Sequence, residues 1–144
     1  MTGLWFARKN LDFSLQIDPQ LILISALTLL PAFVMVAGLM ATAGATTTDS
    51  REAQQVAGYF TLPVVIPYWF LATLMESPNS PLAIGMSLFP LTAPVALPMR
   101  AAFTEVPVWQ LALAIGLVCA SAAGAVWLAG RAFRLGMLRY GQRL

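Results

Sequence analysis

The chain has 144 residues, of which 59% are hydrophobic and only 10% charged, with no histidine and a single cysteine; its mean hydropathy is +0.77. These are membrane-protein values, and they exclude an ordinary soluble domain. A chain of this length holds about three or four spans, too few to enclose a large solute pathway without a second chain or copy. The net charge of +2 does not indicate a nucleic-acid partner. Four of the eight basic residues, Arg131, Arg134, Arg139 and Arg143, lie directly beyond an uncharged run at 106–130, where they act as a cytoplasmic anchor under the positive-inside rule.

In chain order, residues 1–18 carry Arg8, Lys9, Asp12 and Asp18 without an adjoining apolar core, unlike a cleavable signal peptide. Leu11, Phe13, Leu15 and Ile17 alternate with polar residues, which predicts an extended, half-buried strip in an external or interfacial segment. Asp18 and Pro19 then read as the cap and first residue of a helix, and a first span is predicted over 19–46. Pro31 should kink it, and Ala37, Ala41 and Ala45 with Gly38 and Thr42 form a small-residue packing face. A short polar turn follows, in which Asp49 and Glu52 have capping-box spacing.

A second span is predicted over 54–75, bent by Pro63 and Pro67 and carrying Tyr68 and Trp69 towards its far end. Ser80 reads as the cap of a short helix starting at Pro81, and Pro90, Pro94 and Pro98 recur every four residues after it. Three prolines at that spacing oppose a straight helix. They predict a re-entrant helical hairpin over 77–104, broken near Phe89-Pro90. The alternative is a fourth full span, which would place Arg8 and Lys9 on the same side as the arginine-rich end. The last span, 106–130, carries Trp109 and Trp127 near its two interfaces, and Cys119 lies in its middle as a small buried apolar residue. Ala112, Gly116, Ala120 and Gly124 repeat every four residues as a helix-packing face, within the chain or in a dimer. The expected fold is therefore an all-α integral membrane protein: three transmembrane helices plus a Pro-rich re-entrant hairpin before the last one, with residues 131–144 as a cytoplasmic tail.

Chemistry is conspicuously missing. There is no phosphate loop with its lysine, no cluster of metal ligands and no nucleophile with a base partner, so neither an enzyme nor a cofactor is expected. No Asp, Glu, Lys or Arg falls within a predicted span, which argues against an ion-coupled carrier.

Five motif blocks carry a resemblance. They are Glu76-Ser77-Pro78-Asn79-Ser80-Pro81-Leu82-Ala83, Ser87-Leu88-Phe89-Pro90-Leu91-Thr92-Ala93-Pro94, Pro98-Met99-Arg100, Val106-Pro107-Val108-Trp109-Gln110 and the stretch from Ala129 to Gly141. In this order and spacing the chain resembles the C-terminal half of ABC-2 type permeases, with the sodium-extrusion, NatB-like branch the most similar; Gly44-Ala45 and the run Glu52 to Gln55 fit that branch's turn between two helices. The resemblance implies the last three helices of such a permease, an external re-entrant region from Glu76 to Glu105, a cytoplasmic C-terminus and a bacterial plasma-membrane location. It also implies an ABC ATPase subunit as partner, and a second permease copy or a chain supplying the missing N-terminal helices. Under it, Asp49, Arg51 and Glu52 stand in a cytoplasmic turn where the ATPase would touch, against the plain reading of a capped, solvated helix start. Glu76 and Arg100, with Pro90 and Pro94 between them, stand at the external mouth, where the plain reading is a solvated rim. The expected function is a transmembrane component of an ATP-driven exporter. The alternative is a small assembly protein that packs on partner helices through Gly116 and Gly124.

Overall fold

The computed structural model describes residues 18–140, with side chains to residue 138. Arg143 and the alternating strip at 11–17 lie outside the described residues. The described chain is helical: α1 (Pro19–Thr46), α2 (Ser50–Trp69), α3 (Leu71–Glu76), α4 (Pro81–Leu88), α5 (Ala93–Phe103) and α6 (Val108–Tyr140). The helix starts follow from capping chemistry. Asp18 accepts from the Gln20 N–H at 3.0 Å, Asp49 from the Arg51 N–H at 3.2 Å, and Ser80 from the Ala83 N–H at 3.3 Å. Each satisfies a donor that the first turn leaves without an intrahelical partner.

Two helices, α1 and α6, are long and apolar enough to cross a membrane. Both exceed the ~20 residues that a hydrocarbon core of about 30 Å requires. They pack side by side and in parallel. Ile24 clusters with Ala114 near their starts, Met35 with Ala122 and Ala125 further along, and Gly136 faces the Ala45 carbonyl near their ends. The seam between Ile24 and Ala45 is thus about 32 Å long, close to the thickness of a bilayer core.

The seam is made by small residues. Among the described residues, Ala32, Ala43, Ala114, Ala122, Ala125 and Ala129 are buried on these two helices. Large apolar side chains point outward instead, with Phe33 75% and Met137 76% exposed. Such an inside-out distribution is untenable in water and ordinary in lipid, where helices associate by close backbone approach and not by hiding apolar area. The closest approach is at Gly38, where an added Cβ would stand 2.9 Å from the Ala125 carbonyl carbon. Hydroxyls are absorbed within the helices: Ser25 donates to the Leu21 carbonyl at 2.8 Å, Thr28 to Ile24 at 2.7 Å and Thr42 to Gly38 at 2.8 Å. These hydroxyls are thereby not left bare on the apolar face of α1.

Several expectations need correction. Of the two expectations for the Ala112, Gly116, Ala120 and Gly124 face, packing within the chain is not met among the described residues. The face is exposed, with open space beside Gly116 and Gly124, and α6 meets α1 through the neighbouring stripe of Ala114, Val118, Ala122, Ala125 and Ala129. Cys119 also points outward. The α1 packing face centres on Gly38, which is buried, while Ala37 is exposed. α1 includes Pro31 in its interior and continues as one helix to Thr46, as a proline kink allows. The stretch predicted as a second span is divided at Phe70 into α2 and α3, and neither piece meets the length and hydropathy of a membrane span as α1 and α6 do. α6 continues past residue 130 to Tyr140, so Arg131 and Arg134 stand exposed on its last turns, with the Arg131 guanidinium 5.4 Å from the Trp127 ring centre.

Since α1 and α6 are parallel, the chain between them has to return to the end where α6 begins. α2 and α3 make that return, and Leu74 of α3 packs there with Ala83, Met86 and Ala96. α4 and α5 then form a hairpin. Phe89 is extended (ψ 123°), as the residue before a proline prefers, and the Thr92 hydroxyl closes the turn onto the Met86 carbonyl at 2.5 Å. The tip, Leu91 and Ala93, reaches Met35 and Ala32 in the middle of α1. The base returns to the level of Ile24 and Ala114, where Leu97 packs. Pro90 lies in the turn, Pro94 in the first turn of α5, and only Pro98 sits in a helix interior.

The close approach at Gly38 predicts that Gly38→Ala forces α1 and α6 apart and destabilises the detergent-solubilised protein by about 1–3 kcal/mol. Gly124→Ala, on the open face, should leave the thermal unfolding midpoint unchanged or raised. Equal midpoints for wild type and Gly38→Ala would show that the seam is loose.

Candidate functional site

The polar residues of the hairpin converge on Arg100, in the last turn of α5. It is fully buried, at 0% exposure. Its Nε donates to the Pro78 carbonyl at 2.6 Å and one terminal nitrogen to Ser87 Oγ at 2.6 Å. The other terminal nitrogen donates to Asn79 Oδ1 at 3.3 Å and to Gln110 Oε1 at 3.1 Å. The planar fork of five donors suits this divergent arrangement, which a lysine could not reproduce.

One side chain therefore joins four segments: the loop before α4 through Pro78 and Asn79, α4 through Ser87, its own α5, and the first turn of α6 through Gln110. All four acceptors are uncharged. The carbonyl end of α5 supplies a partial negative charge nearby, but the guanidinium remains a buried cation stabilised by dipoles alone. Among the described residues, every other side-chain hydrogen bond joins positions six or fewer apart. Arg100 alone supplies the longer-range polar connections. This replaces the expectation of a solvated rim charge.

The other predicted positions are not brought together with it. Glu76 is exposed. Pro90 is half-buried in the hairpin turn, and Pro94 is buried, lining an apolar groove of about 360 Å³ between α1, α2 and the hairpin with Phe33, Met40, Phe60, Val64 and Val95. Asp49, Arg51 and Glu52 are exposed around the start of α2, at the end of α1 that lies beside the arginine-bearing turns of α6. Arg139 is within α6. The partners Asn79, Ser87 and Gln110 were missed as functional residues, although each lies in one of the motif blocks that also contain Pro78 and Arg100; their separation along the chain concealed the cluster. Among the described residues there is no group of acidic or sulfur side chains that could hold a metal ion.

If the Arg100 cluster fastens the hairpin, Arg100→Met should destabilise the protein by about 1–3 kcal/mol, because the Pro78 carbonyl and Gln110 lose their donor. Arg100→Lys should fall between it and wild type. Thermal unfolding in detergent checks this order, and a wild-type midpoint for Arg100→Met would contradict it.

A profile of ABC-2 family transporter proteins matches residues 1–131. An uncharacterized protein of Methanocaldococcus jannaschii is 30% identical over 94 residues, which is 65% of this chain but 23% of that relative. The matched part of the chain thus spans under a quarter of the relative's length. No solved structure matches. A membrane-embedded chain with two parallel apolar helices, and a family match over nearly its whole length, belongs to the ABC-2 family of transporter proteins.

Proposed function

We propose that this chain is the C-terminal, membrane-spanning portion of the permease of an ATP-binding-cassette exporter, of the NatB-like type, driven by a separate ATPase subunit. The family match over residues 1–131 carries this reading. The chain forms part of the translocation pathway with a second permease copy or with a chain supplying further helices. It performs no catalytic step of its own. The relative of more than four times the matched length supports the view that other helices complete the pathway.

In this reading α2 and α3 together make a third, bent crossing. Their 26 residues have a combined rise of about 39 Å, enough to traverse the hydrocarbon core despite the break at Phe70. The hairpin α4–α5 is re-entrant from the outer face, and its backbone is shielded by α1 and α6. Arg131, Arg134, Arg139 and Arg143 hold the C-terminus in the cytoplasm of a bacterial inner membrane. Asp49, Arg51 and Glu52 then lie on the cytoplasmic side, where the ATPase docks.

Two measurements test the proposal. The epitope-tagged chain, purified from its native membranes in mild detergent, should bring an ATPase subunit with it; recovery without one would contradict the exporter assignment. In a Cys119→Ser background, Ser77→Cys should react with a membrane-impermeant maleimide on intact cells, and Leu138→Cys only after permeabilisation. Reaction of both from one side would contradict the three-crossing path.

A further inference from the structure

We propose that Arg100 is a releasable latch: the hairpin α4–α5 opens away from α6 at its base, and the contact between Arg100 and Gln110 sets how often it does so. The inference rests on the one polar contact that crosses from the hairpin to α6. Along the hairpin's inner faces the contacts are apolar, with Ala93 on Ala32 and Val118 near the tip and Leu97 on Ile24 and Ala114 near the base, where Leu88, Leu111 and Ile115 also pack. Polar attachment to α6 comes from a single hydrogen bond, from the Arg100 guanidinium to Gln110 Oε1 at 3.1 Å.

The cation makes this attachment easy to break. Burying a charge without an opposite charge is costly, and only dipolar acceptors offset it here. Opening at the base rehydrates the guanidinium, because the loop that carries Asn79 is exposed. The other three hydrogen bonds of Arg100 stay within the hairpin and its preceding loop, to Pro78, Asn79 and Ser87. They keep the hairpin together as a unit when the bond to Gln110 parts. The weak point of the polar network therefore coincides with the boundary between the hairpin and α6.

The charge on position 110 should tune the latch. Gln110→Leu removes the acceptor and favours opening. Gln110→Glu sets a carboxylate against the guanidinium and favours closure. The probe is Leu97→Cys in a Cys119→Ser background, since Leu97 is at 0% exposure on the hairpin and a thiol there reacts with a maleimide only when the base opens. Ala43→Cys, buried on α1 beyond the reach of the hairpin tip, reports wholesale unfolding.

Labelling at position 97 should speed up about tenfold in Gln110→Leu and slow by a similar factor in Gln110→Glu, with the rate at position 43 unchanged. Equal rates at position 97 for all three residues would overturn the latch. So would rates at 97 and 43 that rise together, because the substitution would then have loosened the whole fold. Neither readout depends on transport or on an ATPase, so the latch can fail while the permease assignment stands, and the reverse.

Discussion

The structure depends on the parallel seam between α1 and α6. Ala125 approaches Gly38 so closely that even a methyl group at position 38 would meet backbone. Two helices joined by a 61-residue connection and running the same way impose a geometric debt on what lies between them: the chain must travel back along the seam before α6 can begin. α2 and α3 make the return journey, and the hairpin fills the space left near the starts of α1 and α6. Its depth is set where Leu91 and Ala93 meet the middle of α1. The arginines of α6 and the turn around Asp49 consequently share one end, and Arg100 lies towards the other.

Local chemistry made much of this legible. Asp18, Asp49 and Ser80 act as caps because a short acceptor stands before a helical pattern, and the backbone donors they satisfy are adjacent in sequence. The break at Phe89-Pro90 follows from the same kind of nearest-neighbour sterics. Tertiary choices were not legible in this way. On α6, the stripe from Ala112 to Gly124 and the stripe from Ala114 to Ala129 are both small, apolar and helically spaced. Periodicity marks each as a packing face but does not say which one α1 takes. The answer depends on the partner's shape, and Gly38 opposite Ala125 supplies it.

Arg100 was misread for a related reason. A lone arginine beside a proline-rich loop and near Glu105 ordinarily stays in water, since burying it without a carboxylate is costly. Its four acceptors come from positions 78, 79, 87 and 110. Only the folded hairpin brings them within reach. Those positions sit inside the blocks through which the chain resembles ABC-2 permeases, but their spacing along the chain does not show that they meet.

For a transporter-family chain, this arrangement puts a closely apposed seam beside the hairpin that we propose to be releasable. The α1–α6 seam is long, continuous and tightly apposed, whereas the hairpin rests on it through apolar contacts and one polar node. The central claim is the parallel course of α1 and α6, and disulfide trapping in native membranes tests it most directly. With Cys119 replaced, the pair Ala45→Cys and Gly136→Cys should cross-link readily on mild oxidation, while Ala45→Cys and Ala114→Cys should not. Cross-linking of the second pair in place of the first would mean that the two helices run antiparallel, and the return path, the hairpin's position and the shared end would all be contradicted.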